Sequence, residues 1–191
     1  DSSKKSLWLF LITIPFWTNI LIRTFAWILL LRDTGVVNGL LMSIGIISSP
    51  LALLNTTGAI LVGLVYTFAP FMVLPIYARM ERLQQSQMEA AHDLYANRWN
   101  VFRHIVWPAA LPGIAAGSLL TFIPCLGSLI APDLLGGGKN MMLGNLIYRQ
   151  FSEDRNWPFG AALSVVLLMI IAFIGVIQYY RTQRVAKVKG V

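Results

Sequence analysis

The chain alternates long apolar stretches with polar or broken ones. Four apolar stretches, about Leu7–Leu31, Gly58–Tyr77, Ile114–Ala131 and Phe159–Tyr180, stand out. Each approaches or exceeds the roughly 20 apolar residues that carry a helix across a bilayer. Lipid offers no partners to free backbone N–H and C=O groups, so each stretch is expected to be helical. Between the first two lies 35–57, moderately apolar but interrupted by Gly39, Gly45 and Pro50. That punctuation suits an interfacial or partly re-entrant segment better than a fifth span. The expectation is a single all-α domain, a polytopic membrane helical bundle, with a polar connector over 78–112.

Composition agrees. Only 12% of the 191 residues are charged and 57% are hydrophobic, whereas a soluble domain carries about a quarter charged. The net charge of +7 would suggest nucleic acid if it were spread over a soluble surface, so its location matters. With the N-terminus in the cytoplasm and four crossings, Lys4, Lys5, Arg79, Arg82, Arg98, Arg103, Arg181, Arg184, Lys187 and Lys189 fall inside. Arg32, Lys139, Arg149 and Arg155 fall outside, and Arg23 lies within the first span. This ten-to-four bias is the positive-inside pattern. It accounts for the charge without nucleic acid, and both termini are expected in the cytoplasm. The one cysteine, Cys125, lies in an apolar run and supports neither a disulfide framework nor a zinc site.

The connector is the most informative polar segment. Met88, Ala91, Leu94 and Tyr95 recur at helical spacing, as one face of a short helix requires. Ala90 and Ala91 are small enough for a partner to approach closely. Glu89 sits near the start of that helix, where its charge complements the helix dipole. A solvated connector with acidic caps remains the plain alternative.

Glu89-Ala90-Ala91 followed by Pro108 and by Leu111-Pro112-Gly113 resembles the E-A-A loop of permease subunits in ATP-binding-cassette (ABC) importers of the type I fold. Tyr95 stands where that family places a glycine, and Trp107 where it places a leucine. If the glycine serves a positive-φ turn between two short helices, Tyr95 would cost about 1–2 kcal/mol there. The runs Ile14-Pro15-Phe16-Trp17-Thr18-Asn19, Arg23-Thr24-Phe25-Ala26-Trp27, Pro132-Asp133-Leu134-Leu135-Gly136-Gly137-Gly138-Lys139 and Asn156-Trp157-Pro158-Phe159-Gly160 are similar to those of spermidine/putrescine importer permeases. Such permeases have six spans, and the chain matches their last four.

The resemblance implies a bacterial inner-membrane subunit that moves polyamines by alternating access. It implies no catalysis and no cofactor in this chain, with ATP and Mg held by partner ATPase subunits. A second permease subunit and a periplasmic solute-binding protein would complete the assembly in the bilayer. Glu89, Ala90, Ala91, Asp93, Leu94, Tyr95 and Pro108 would form the coupling surface. The other readings are a membrane scaffold that recruits a cytoplasmic partner, and an importer of another small solute.

A polyamine path needs carboxylates and aromatic faces, because ammonium groups bind both. Candidates are Phe16, Trp17, Asn19, Tyr66, Asp133 and Trp157, though a helix cap for Asp133 and interface anchoring for the aromatics are equally compatible. Arg23 either snorkels to the outer interface or gates a path. Ala59-xxx-Gly63 and Gly113-xxx-Gly117 offer close helix contacts. The run Gly136-Gly137-Gly138-Lys139 lacks the Ser/Thr of a phosphate loop. Glu89-x-x-His92 lacks the second half of a di-iron site.

Overall fold

The computed structural model describes residues 2–83, 85–93, 95–138 and 140–188, which are helical or irregular throughout. The helices are α1 (Ser2–Trp17), α2 (Ile20–Leu31), α3 (Val36–Ser43), α4 (Thr57–Met80) and α5 (Gln85–Asp93). They continue with α6 (Arg98–Val101), a π-turn (Phe102–Val106), α7 (Trp107–Leu126), α8 (Ile130–Gly136), α9 (Leu143–Ser152) and α10 (Trp157–Val188). Among the described residues, three helical segments are long and apolar enough to cross a membrane: Thr57–Met80, Arg98–Leu126 and Trp157–Gln178.

Two expectations from hydropathy are revised. The stretch Leu7–Leu31 is two helices, because Asn19 takes an extended conformation (φ −60°, ψ 137°) and caps α2, its side chain accepting from the Leu21 N–H at 2.8 Å. The third span begins at Arg98, well before Ile114. The helix runs through Arg98, Arg103 and His104 because these polar side chains are exposed while the backbone stays bonded. The π-turn lies directly before Pro108, with the Trp107 N–H bonded to the Phe102 carbonyl. A proline ring removes one N–H and crowds the preceding turn, and a single π-turn absorbs such a misfit without ending the helix.

The chain divides into two compact units, residues 1–70 with 124–167, and residues 71–123 with 168–191. Their boundaries in α4 and α7 fall at Pro70 and Pro124. In the first unit α8 packs on α4. Leu135 and Pro132 are fully buried, and a β-carbon added at Gly63 would stand 2.4 Å from Leu135 Cδ1. The segment 44–56 is held by Asn38, which is fully buried. Its Nδ2 donates to the Leu51 carbonyl at 2.9 Å and its Oδ1 accepts from the Leu51 N–H at 3.0 Å. One amide thereby satisfies both backbone groups of a residue in an irregular stretch, where unpaired buried groups are costly.

In the second unit α4 and α7 meet along Gly113 and Gly117. A β-carbon at Gly113 would lie 2.7 Å from the Pro75 carbonyl oxygen and 3.0 Å from Ile76 Cα. One at Gly117 would lie 3.0 Å from the Met72 carbonyl oxygen. The Gly-xxx-Gly pattern is a packing seam here. Gln178 Nε2 of α10 donates to the Ala115 carbonyl at 3.3 Å, tying α10 to α7.

Candidate functional site

The connector is shorter and more ordered than its sequence limits of 78–112, since 98–112 belongs to the long helix. What remains is α5, a reversal at 94–97 and the start of α6. Ser86, Glu89, Ala90 and Asp93 are all exposed on α5, whereas Met88 and Ala91 are half-buried. Spacings of three and four place the exposed set on one face, an acidic face with a small residue at its centre. Neither Glu89 nor Asp93 has an ion-pair or hydrogen-bond partner among the described residues.

The reversal has an identifiable form. Tyr95 has φ +58°, and the Ala96 N–H donates to the Ala91 carbonyl at 3.0 Å. With Asp93 as the last helical residue, this is the six-to-one bond of a Schellman motif, and Tyr95 occupies the left-handed position that glycine favours. Asn97 then caps α6, its side chain accepting from the Asn100 N–H at 2.8 Å. Four residues, 94–97, thus separate the two short helices in the chain. The Tyr95 ring is 96% exposed, so no packing within the chain offsets its backbone strain. Tyr95 therefore leaves the Met88 and Ala91 face on which its spacing placed it. Tyr95→Gly is expected to stabilise the reversal by about 1 kcal/mol. Exchange of the Ala96 amide hydrogen should slow by roughly fivefold, and unchanged or faster exchange would refute the strain.

Leu94 lies outside the described residues. Pro108 is half-buried inside α7, apart from the exposed face of α5. It instead lines a cavity of about 180 Å³ with Arg79, Arg82, Leu83, Gln87, Ala109 and Pro112. Apart from Pro108, none of the residues in this group belongs to the expected coupling surface. Its one visible sign was the pair of arginines three residues apart at the end of a span.

The expected pathway residues lie on α1, α4, α8 and α10 and at the cap of α2. Trp17 is 87% exposed at the end of α1, beside the exposed Phe16. Asn19 is engaged as a cap. Tyr66 packs edge-to-face on Trp27, with ring centroids 5.6 Å apart. Trp157 is exposed at the start of α10. Asp133 is exposed in the first turn of α8 and lines a cavity of about 250 Å³ with Asn140, Asn145, Tyr148, Arg149 and Glu153. Within it Arg149 Nε pairs with Glu153 at 2.8 Å, and Asn145 donates to the Leu129 carbonyl at 3.2 Å. Arg23 is half-buried, and its Nε is buried without a partner among the described residues. Among those residues no cluster of three or more His, Cys, Asp or Glu side chains suits a metal ion.

The sequence pattern of one family, the binding-protein-dependent transport system inner membrane components, matches residues 3–187. The chain is 43% identical over 180 residues to the spermidine/putrescine transport system permease protein PotB of Haemophilus influenzae, covering 94% of this chain and 63% of that protein. It is 40% identical over 185 residues to PotB of Escherichia coli, covering 97% and 67%. To the inner membrane ABC transporter permease protein YdcU of Escherichia coli it is 35% identical over 184 residues, covering 90% and 58%. The chain thus spans roughly two thirds or less of the length of these relatives. A bacterial alginate ABC transporter, solved in complex with an alginate pentasaccharide-bound periplasmic protein, superposes with a TM-score of 0.74. That match is 17% identical and covers 98% of this chain and 68% of the other, so it bears on the fold.

Proposed function

Since the chain belongs to the family of binding-protein-dependent transport system inner membrane components, we propose that it is the membrane subunit of an ATP-driven ABC importer of polyamines. The observation that carries the reading is the pair of short helices, α5 and α6, on either side of the reversal at Tyr95, with Glu89, Ala90 and Asp93 exposed on one face. A capped reversal with a defined hydrogen bond transmits force better than a loose loop. Strain like that at Tyr95 persists where something outside the local chain compensates for it.

The mechanism is coupling. α5 sits in a groove of a cytoplasmic ATPase subunit, Glu89 makes a charge-assisted contact there, and Ala90 allows close approach. Asp93 and the Tyr95 ring extend the contact, and Leu94 lies between them in the chain. ATP and Mg are held by the ATPase, so this chain performs no catalysis itself. ATP-driven closure of the ATPase pair moves α5, and the continuous helix from Arg98 to Leu126 carries that motion into the membrane. A second permease subunit engages the second ATPase, and a periplasmic binding protein delivers substrate. The cytoplasmic side proposed for this loop uses only the charges around the last three candidate spans, so the break at Asn19 does not enter it. A cytoplasmic loop has Arg79, Arg82, Arg98 and Arg103 inside, and the positive-inside rule supports that reading.

Polyamine as substrate rests on the PotB relatives. In this chain Asp133 offers an incoming ammonium an exposed carboxylate, and Trp17 and Trp157 offer exposed aromatic faces. The test is reconstitution of the full-length permease with its ATPase, second permease and binding protein in proteoliposomes. Labelled spermidine or putrescine should accumulate only with ATP, and unlabelled polyamine should suppress the signal where a neutral sugar does not. An assembled complex that accumulates no polyamine would overturn the substrate assignment.

A further inference from the structure

We propose that the cavity bounded by the end of α4, by α5 and by the start of α7 binds the headgroup phosphate of an anionic phospholipid. It holds about 180 Å³ and is lined by Arg79, Arg82, Gln87, Leu83, Pro108 and Pro112, together with Ala109. Among the described residues no carboxylate lines it. Glu81, which lies between the two arginines in sequence, accepts from the Tyr77 hydroxyl at 3.4 Å. Neither arginine pairs with a carboxylate among the described residues, so the cavity carries two uncompensated positive charges.

The fold places them deliberately. Because Gly113 has no side chain, α7 lies against α4, and a β-carbon at Gly113 would be 3.1 Å from Arg79 Cγ. The Arg82 N–H donates to the Arg79 carbonyl at 3.3 Å in the turn that ends α4. Two guanidinium forks and the Gln87 amide supply many N–H donors, and guanidinium matches phosphate oxygens two at a time. The volume is below the roughly 300–1,000 Å³ of small-molecule pockets. It suits a phosphate with its ester links, and Leu83 and the two prolines give those links apolar contact.

Depth decides for lipid over free phosphate. Arg79 is in the last turn of a candidate span, and Trp107 directly precedes Pro108. Trp99, Phe102 and Trp107 are exposed and form a ladder along the same helix, with ring centroids 5.7 and 6.3 Å apart. Exposed tryptophans of this kind settle at headgroup level. That is where lipid phosphates lie and where basic pockets between spans capture them. The inference needs only that the chain lies in a membrane and is independent of the importer reading.

The experiment is native mass spectrometry of the intact full-length permease, purified in mild detergent and challenged with phosphatidylglycerol or phosphatidylcholine nanodiscs. The expected result is one retained anionic phospholipid, preferred over phosphatidylcholine and not displaced by excess inorganic phosphate. Arg79→Gln/Arg82→Gln should weaken retention by about 30-fold. Arg98→Gln/Arg103→Gln, which removes equal charge from two exposed arginines that do not line the cavity, should retain it. Arg79→Lys/Arg82→Lys, which keeps the charge and loses the fork, should fall between. Equal retention in the Gln pair would overturn the proposal, as would full displacement by inorganic phosphate or equal loss in the Arg98/Arg103 variant. If the Gln pair keeps its lipid but sheds the ATPase, the cavity is a partner contact and the proposal fails.

Discussion

Glu89→Arg is expected to release the ATPase from the permease and abolish ATP-dependent uptake, while leaving the permease folded. The second half follows from the structure. Glu89 is exposed on α5 and has no partner among the described residues, so reversing its charge removes no internal contact. The first half follows from the docking reading. Removing one partner of a buried, hydrogen-bonded charge pair costs about 2–5 kcal/mol, and reversal adds repulsion. Affinity should fall by roughly 30-fold or more. Glu89→Gln, which keeps the shape and the hydrogen-bonding capacity, should lose less. The measurement is co-purification of the ATPase, beside the melting temperature of the permease alone. Unchanged association and uptake would remove Glu89 from the interface.

Gly113→Val is expected to have the largest effect on stability. Its β-carbon would meet the Pro75 carbonyl oxygen at 2.7 Å, Ile76 Cα at 3.0 Å and Arg79 Cγ at 3.1 Å. Two of these are backbone atoms that no rotamer change can move aside, so α4 and α7 must separate. Overpacking of this kind costs about 1–3 kcal/mol, a melting shift on the order of 2–12 °C for a chain of this length. Gly113→Ala should show a smaller loss of the same sign. Gly175, in α10, has nothing within 4 Å of where its β-carbon would be. Gly175→Ala should therefore be neutral or slightly stabilising, because glycine is a poor helix residue. Equal melting of the Gly113 and Gly175 variants would contradict the seam.

Apolar stretch length located a helix well where many residues act together. α4 at Thr57–Met80 begins and ends close to the expected 58–77, because its whole length is apolar. Single-residue devices were less visible. Asn19 breaks a strongly apolar run by capping, and an average over twenty positions does not register one side chain. Asn38 holds Leu51 across thirteen residues, a pairing that no local pattern encodes. Arg98, Arg103 and His104 hid the start of the third helix, because polar side chains on an exposed face lower hydropathy without ending a helix.

At the site, the departure at Tyr95 proved the most useful sign. A tyrosine in place of a glycine pointed to a left-handed residue, and φ is +58° there. Pro108 shows the opposite outcome. Its position in the motif was visible, but its place inside α7 and beside Arg79 and Arg82 depends on how α4 and α7 pack. That packing is set by Gly113 and Gly117, whose spacing alone does not name the facing helix.

The central claim is that the exposed face of α5 meets a cytoplasmic ATPase, and a placed cysteine tests it most directly. In a Cys125→Ser background, Ala90→Cys in the full-length permease should cross-link to the co-expressed ATPase in intact membranes. It should resist a membrane-impermeant maleimide added from outside, whereas Ser152→Cys on α9 should react with that reagent and form no such cross-link. The account expects an Ala90-specific permease–ATPase product whose yield changes when ATP is added. Labelling of Ala90→Cys from outside, or the same cross-linking from both positions, would contradict it.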